Sequence, residues 1–250
     1  FANKLLYFVK HKNNLASSSL QDKIYCMNYT KPYTPPTLTV DAVIFQVNNN
    51  TLEVLLLKRP NEPFKGEWAL PGGYNAKGET TTDALERVVF QKTGIKIKDD
   101  LRYIEQLYTF DTINRDPRGH AVSVTYMGCG RNITYNEDLE VAFFDVNKIP
   151  KLAYDHASII KYAKERLIAK MTYTNSAFAF LDRRFTLTQL QTVYEIVFGR
   201  EFDKRNFRKK FLSLNLIHET NELWRDGAHR PAKLYEFNSS KLENLDRSLD

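Results

Sequence analysis

The chain has 250 residues, of which 42% are hydrophobic and 26% are charged, and its formal net charge at pH 7 is +6. This composition is typical of a globular protein with one large domain or two modest ones, and no apolar run approaches the length of a membrane span. The two cysteines, Cys26 and Cys129, form neither a disulfide framework nor a zinc spacing, which predicts a reducing cytoplasm. The positive charge permits nucleic-acid binding without requiring it.

Residues 1–36 are predicted to form a poorly structured leader. The apolar run that begins at Leu5 ends before Lys10, which is too short for the apolar segment of a secretory signal. Residues 13–36 are rich in Asn, Ser, Lys and Pro and close on Pro35-Pro36, a composition that disfavours a packed core.

Residues 37–150 read as a mixed α/β domain without internal repeats. Strands are predicted at residues 38–46, 52–58, 103–110, 121–128 and 140–145, with a turn at residues 48–50. A helix is predicted over residues 80–93, ending at Gly94. A linker at residues 151–184 contains a second helix, with Asp155 as its N-cap and His156 as a structural histidine.

The predicted helix carries a spaced motif. Gly73, Glu79 and Arg87 lie six and eight residues apart, and Gly94-Ile95 closes the motif. This frame resembles the Nudix box, in which three glutamates on one helix face bind Mg²⁺. The sequence has a valine, an amide and a cation at the glutamate positions: Val88, Gln91 and Lys92. Glu86 would face away from them.

These replacements predict a domain that holds a nucleotide without hydrolysing it, with no catalytic residue, metal site or cofactor. We interpret Lys92 as an ammonium that supplies part of the missing ion's charge, and the alternative is a solvated helix lysine. The segment from Asp116 to His120 resembles the loop after the box in the ADP-ribose branch of the Nudix family. Arginine and lysine side chains suit phosphates, while aromatic rings can stack on a base or belong to the core. Arg87 could instead brace the helix by pairing with a carboxylate. The predicted ligand-binding residues are Lys58, Arg59, Phe64, Trp68, Tyr74, Glu79, Arg87, Lys92, Asp116, Arg118 and His120.

Residues 185–238 are predicted to form a winged helix-turn-helix, followed by a tail at residues 239–250. Thr186 caps one amphipathic helix, which ends at Gly199, and Asp203 caps a second, basic helix. Two β-prone segments at residues 216–218 and 233–237 enclose a polar loop, the wing. The basic helix suits the major groove, with Arg205 and Asn206 at base edges. A solvated basic face is the alternative. The predicted DNA-binding residues are Lys204, Arg205, Asn206, Arg208, Lys209, Lys210, Arg225, His229 and Arg230.

The two halves together, over about residues 37–238, are similar to the Nudix-related transcriptional regulators. The resemblance implies a homodimeric repressor on a near-palindromic duplex, often controlling NAD biosynthesis and responding to ADP-ribose, a related nucleotide or a pentose such as arabinose. The segments Pro71-Gly-Gly and Asp116-Pro-Arg-Gly favour a nucleotide. Two alternatives remain: an active ADP-ribose pyrophosphatase with an appended domain, and an RNA-binding or scaffolding protein that uses the basic helix.

Overall fold

The structure is a computed structural model that describes residues 34–225 and 231–245. Its first part contains β1 (Thr37–Asn48), β2 (Thr51–Lys58), β3 (Trp68–Ala69), β4 (Gly72–Tyr74), α1 (Thr81–Thr93), α2 (Ile97–Asp100), β5 (Tyr103–Phe110), β6 (Ala121–Gly130), β7 (Val141–Asp145) and α3 (His156–Tyr173). After a 3-10 helix (Ser176–Phe180) follow α4 (Leu187–Phe198), α5 (Lys204–Ser213), β8 (Ile217–Trp224) and β9 (Ala232–Phe237). None of the helices in this part of the chain has the length and apolar character needed to cross a membrane.

The described strands of the first part form one mixed sheet with β1 at its centre. The main path runs β3-β2-β1-β6-β5; β4 pairs with β1 and β7 with β2. β1 and β6 are parallel over their full overlap, while β1 and β2 form an antiparallel hairpin. Asn49 and Asn50 have positive φ values in the hairpin turn, as the asparagine run predicts. Strands β1 and β6 lie inside the sheet, and most of their side chains are buried on both faces.

Alternate residues of β1 supply two separate cores. Val40, Ala42 and Ile44 face α1, whereas Val43 and Phe45 face the layer that contains α3 and the C-terminal helices. One sheet therefore carries the box helix on one face and the winged helix on the other, and the second core continues into α4, α5 and β9.

The helix ends follow local sequence signals. Thr80 forms a capping box with Asp83, and Gly94 ends α1 in the left-handed conformation at φ 79°. Thr186 forms a capping box with Gln189, and Gly199 closes α4 at φ 66°. The sequence analysis identified Gly94, Thr186 and Gly199 in these roles, while the N-cap role of Thr80 was not predicted.

The C-terminal part is a helix pair followed by a hairpin, as predicted. The Asp203 side chain accepts a hydrogen bond from the Asn206 N–H at the start of α5. Phe207 and Phe211 are buried against Tyr194 of α4, with ring centroids 5.4 and 5.7 Å away. Strand β8 is longer than predicted because its pairing with β9 continues from Ile217 to Trp224.

Polar contacts join the winged helix to the sheet. The Arg131 guanidinium lies 2.8 Å from the Asp182 carboxylate, and Arg102 donates to the Leu181 carbonyl in the same segment. The Tyr194 hydroxyl donates to the Met171 carbonyl at the end of α3, at 3.3 Å. The leader prediction concerns residues 1–36, and of these residues 1–33 lie outside the described part of the chain.

Candidate functional site

A cavity of about 760 Å³ lies where β1, β2, α1 and the loop before β6 meet the start of α3. This volume suits a ligand of nucleotide or drug size. Seven of the predicted ligand-binding residues line it: Lys58, Arg59, Tyr74, Arg87, Lys92, Asp116 and Arg118. The structure thus brings together residues that are up to 60 positions apart in the chain.

The other four predicted ligand-binding residues do not line the cavity. Phe64 packs edge-on against Tyr154 at 4.9 Å, behind the cavity wall. Trp68 packs against Phe144 at 4.7 Å and contacts the hydrophobic core. His120 is exposed and its carbonyl accepts the Thr37 N–H. Glu79, the fourth, braces Arg87. Their part in binding a ligand stays a prediction.

Arg87 braces the loop before α1. Its guanidinium makes a two-point contact with the Glu79 carboxylate, at 2.5 and 2.7 Å, and donates to the Tyr74 carbonyl at 3.0 Å. The hydrogen bonds from Arg87 and from the Ala76 N–H lower the pKa of Glu79 to about 2. Arg87 therefore pairs with a carboxylate, which is the structural alternative to phosphate binding given in the sequence analysis.

The glycine pair before the box allows two close approaches. A Cβ on Gly72 would lie 1.9 Å from Asp41 Oδ1, and one on Gly73 would lie 3.0 Å from a Val88 methyl. The backbone of this loop therefore lies directly on β1 and α1, and only glycine fits there.

The box residues do not fit a divalent cation. Val88 is buried against Gly73, Gln91 is exposed, and the Lys92 ammonium donates to the Gly72 carbonyl. In residues 34–225 and 231–245 no group of three or more His, Cys, Asp or Glu side chains could hold a metal ion. Mg²⁺ requires several oxygen ligands, and these three side chains place an apolar group and a cation where such ligands would be needed.

Two arginines and two tyrosines form one wall of the cavity. The Arg118 guanidinium bonds to Asp116 at 2.6 and 2.9 Å and lies 5.6 and 5.9 Å from the ring centroids of Tyr74 and Tyr154. Arg59 lies 4.8 Å from the Tyr154 ring. Sequence reasoning missed Tyr154. Its backbone has a positive φ of 55°, and no local motif marks it.

A buried ionic network below the cavity was also missed. Arg115 donates to Asp155 at 2.9 and 3.0 Å and lies 3.5 Å from Asp41. Asp41 and Arg115 line the cavity. The Ser123 hydroxyl donates to Asp41 at 2.5 Å. Burial alone would lower the pKa of Arg115, but its bonds to Asp155 and Asp41 raise that pKa above the ordinary value. A charged residue within the apolar run of β1 was the available signal for Asp41.

The capping prediction for Asp155 was wrong in its chemistry. Asp155 occupies the N-cap position of α3, but its side chain makes no capping hydrogen bond. Its carboxylate binds Arg115 instead, because a buried guanidinium is the stronger partner.

His156 has the predicted structural character. It is buried, and its Nδ1 accepts the Leu70 N–H at 2.9 Å, which requires a neutral ring. Burial lowers the pKa of His156, although Asp41, whose carboxylate lies 3.8 Å from Nε2, raises it.

We expect His156 to make the protein less stable at mildly acidic pH. The unfolded histidine binds a proton near pH 6.5 while the folded one resists it, so the free energy of unfolding should fall as pH drops below about 6.5, by up to about 1.4 kcal/mol per pH unit. Denaturant titrations at pH 7.5 and 5.5 measure the slope. His156→Gln should flatten it, whereas His120→Gln, at an exposed histidine, should leave it unchanged. Equal slopes in wild type and His156→Gln would contradict this account.

The basic helix α5 presents part of its predicted surface to solvent. Lys204, Arg205, Asn206 and Lys209 are exposed, as is Arg225 at the end of β8. Lys210 is half-buried. His229 and Arg230 lie outside the described residues.

Arg208, one of the predicted DNA-binding residues, contacts α4. It is half-buried and donates to the Thr188 hydroxyl of α4 at 3.0 Å. It therefore tethers the two helices, because it follows the buried Phe207 directly and lies on the flank of α5 that meets α4. Its DNA contact stays a prediction.

Comparisons with known proteins agree with this architecture. The family model for the NUDIX domain matches residues 36–163, and the one described as the NrtR DNA-binding winged helix domain matches residues 177–237. The chain is 33% identical over 225 residues to the ADPR responsive transcriptional repressor NtrR of Acinetobacter baylyi, covering 86% of this chain and 88% of that one. The chain belongs to the Nudix-related transcriptional regulators.

Two further relatives place this regulator within a wider group. The crystal structure of Shewanella oneidensis NrtR complexed with a 27mer DNA superposes with a TM-score of 0.73 at 33% identity, covering 85% of this chain and 99% of that one. The ADP-ribose pyrophosphatase of Methanocaldococcus jannaschii is 40% identical over 134 residues, 52% of this chain and 73% of that one. The predicted fold class, an α/β Nudix fold followed by a winged helix, is confirmed.

Proposed function

We propose that this Nudix-related regulator is a cytoplasmic transcriptional repressor. As a homodimer it binds near-palindromic duplex DNA through α5 and the wing, and it responds to ADP-ribose or a related nucleotide held in the cavity without hydrolysis. One observation supports the proposal most strongly: the chain combines an exposed basic helix in a winged-helix fold with a Nudix box that lacks the three metal-binding glutamates.

The cavity supports a phosphate-bearing effector over an uncharged sugar. It is lined by the cations Lys58, Arg59, Arg87, Lys92 and Arg118 and by the tyrosine rings described above. Guanidinium and ammonium groups gain most from anionic oxygens, and a pentose offers none. The Acinetobacter baylyi relative is named for its response to ADPR.

A second candidate, an ADP-ribose pyrophosphatase, is favoured by the 40% identity to the Methanocaldococcus jannaschii enzyme. The two proposals differ in one measurement. Purified protein incubated with ADP-ribose and Mg²⁺ or Mn²⁺ should leave the substrate intact, because Val88, Gln91 and Lys92 cannot hold the ion that activates water. AMP formation at about 1 per second or faster would establish the enzyme instead. A known pyrophosphatase added to a parallel sample controls for the assay.

The exposed residues of α5 should differ in what they recognise. Lys209→Ala removes a phosphate contact, so it should weaken binding to all duplexes alike and reduce the salt slope by about one unit. Arg205→Ala or Asn206→Ala should cost about 1–3 kcal/mol at particular base pairs and relax specificity there. Anisotropy titrations with selected and random duplexes at two salt concentrations separate these effects.

The matched control is Lys98→Ala, an exposed lysine of α2 that pairs with Glu86 and should leave DNA binding unchanged. Wild-type protein that shows no preference for any selected duplex over random DNA would favour the RNA-binding or scaffolding alternative.

A further inference from the structure

The cations around the cavity divide into two groups by their partners. Most are already neutralised by a carboxylate: Lys58 by Glu140, Arg87 by Glu79, Arg115 by Asp41 and Asp155, and Arg118 by Asp116. Arg59 and Lys92 form no ion pair within the described residues. Each donates to main-chain carbonyls instead, Arg59 to Pro63 and Asn61, and Lys92 to Gly72.

The fold itself holds these two cations in place. The Arg59 Nε donates to the Pro63 carbonyl at 2.8 Å and its guanidinium lies over the Tyr154 ring. Lys92 lies in the last turn of α1, and its ammonium reaches the carbonyl of Gly72 in the loop before that helix. Both groups line the cavity; Arg59 is half-buried and Lys92 is exposed.

The charged groups that act on Lys92 are mostly positive. Burial of its ammonium lowers the pKa of Lys92; Asp41 raises it, and Arg59, Arg118 and Arg87 lower it further. A bound anion would offset the repulsion between these cations and raise the pKa of Lys92. Two lining cations, Arg59 and Lys92, thus have no carboxylate within ion-pair distance in the described part of the chain, and a diphosphate esterified at both ends carries two negative charges.

We propose that the Nudix box of this chain is a metal-independent diphosphate site, in which Lys92 and Arg59 neutralise the two phosphate charges that a divalent ion would otherwise bind. The inference rests on the proposed function and deepens it, because it specifies the part of the effector that is recognised and the absence of a metal requirement. Lys92 replaces the ion by charge alone, since an ammonium cannot activate water for hydrolysis.

Calorimetry with ADP-ribose in EDTA and in Mg²⁺ tests the metal requirement. We expect the dissociation constants in the two buffers to agree within about twofold, because direct charge-assisted hydrogen bonds to the phosphates do not require a metal ion. Binding that appears only with Mg²⁺ would overturn the inference and leave the proposed effector standing. No binding in either buffer would contradict the effector itself, and the inference with it.

Variants of Lys92 test its charge. Lys92→Met should weaken ADP-ribose binding in EDTA by about 10- to 100-fold, the usual effect of losing a charge-assisted contact. Lys92→Glu should weaken it further in EDTA, because the carboxylate replaces a cation and repels the phosphates. The matched control is Lys96→Met, an exposed lysine that does not line the cavity. Circular dichroism confirms that each variant is folded, and wild-type affinity in Lys92→Glu with EDTA would overturn the proposal.

The alkaline pH dependence gives an independent readout. The anion binds the protonated lysine, and the pKa of Lys92 is lowered, so affinity should fall at a pH below the ordinary lysine range. Lys92→Arg keeps its charge and should remove that fall. The same fall in Lys92→Arg as in wild type would assign it to another group and overturn the role of Lys92.

Discussion

Replacing Arg115 with Met is expected to lower the free energy of unfolding by about 3–5 kcal/mol. The Arg115 side chain is 6% exposed and lies between Asp41 and Asp155, and its removal leaves two carboxylates without their shared cation in a poorly solvated site. Methionine keeps the apolar stem, so the loss reports the charge. Urea titration followed by circular dichroism measures it.

Arg118→Met is the matched control for this prediction. Arg118 lies in the same loop, but its side chain is 44% exposed and its ion pair is with Asp116. The stability loss should therefore stay below about 1 kcal/mol. A stability loss in Arg115→Met no greater than in Arg118→Met would contradict the buried network.

Phe211→Ala is expected to destabilise the protein by about 3–5 kcal/mol, the second large effect. The Phe211 ring is fully buried and packs against Tyr194, Phe207 and Phe237, so its removal leaves a cavity between α4, α5 and the hairpin. The control is Phe90→Ala on α1, where the ring is 51% exposed and the change should stay within about 0.5 kcal/mol.

The same variant tests whether the two halves unfold together. The chain has two tryptophans, Trp68 in β3 and Trp224 in β8. Because one hydrophobic core runs from the sheet into α4 and α5, single-tryptophan variants should report coincident transitions, both shifted by Phe211→Ala. Separate transitions would show that the winged helix unfolds independently.

Sequence alone predicted those features that depend on local chemistry. Gly94, Thr186 and Gly199 mark helix ends by their own conformational and hydrogen-bonding preferences, and the structure has them in those roles. The box spacing likewise placed Lys92 and Arg87 in one cavity, since residues on one helix and its adjacent loop keep a fixed relation.

The features that sequence did not predict depend on contacts between distant segments. Arg115 joins Asp41 and Asp155 only because the sheet order brings β1, the loop before β6 and the start of α3 together. The contact of Arg208 with Thr188 was not predicted, because the packing of α5 against α4 sets which side of α5 is covered. Strands β3 and β4 were not predicted, since two- and three-residue pairings leave no periodic pattern.

One measurement tests the central claim most directly: the affinity for a selected duplex with and without saturating ADP-ribose in EDTA, followed by chromatography of the ligand. An effector-responsive repressor with a non-hydrolytic Nudix domain should lose DNA affinity by about 5- to 150-fold, the usual range of coupling between sites, and return the ADP-ribose intact. Unchanged DNA affinity at saturating ligand, or conversion of the ligand to AMP when Mg²⁺ is restored, would contradict the account.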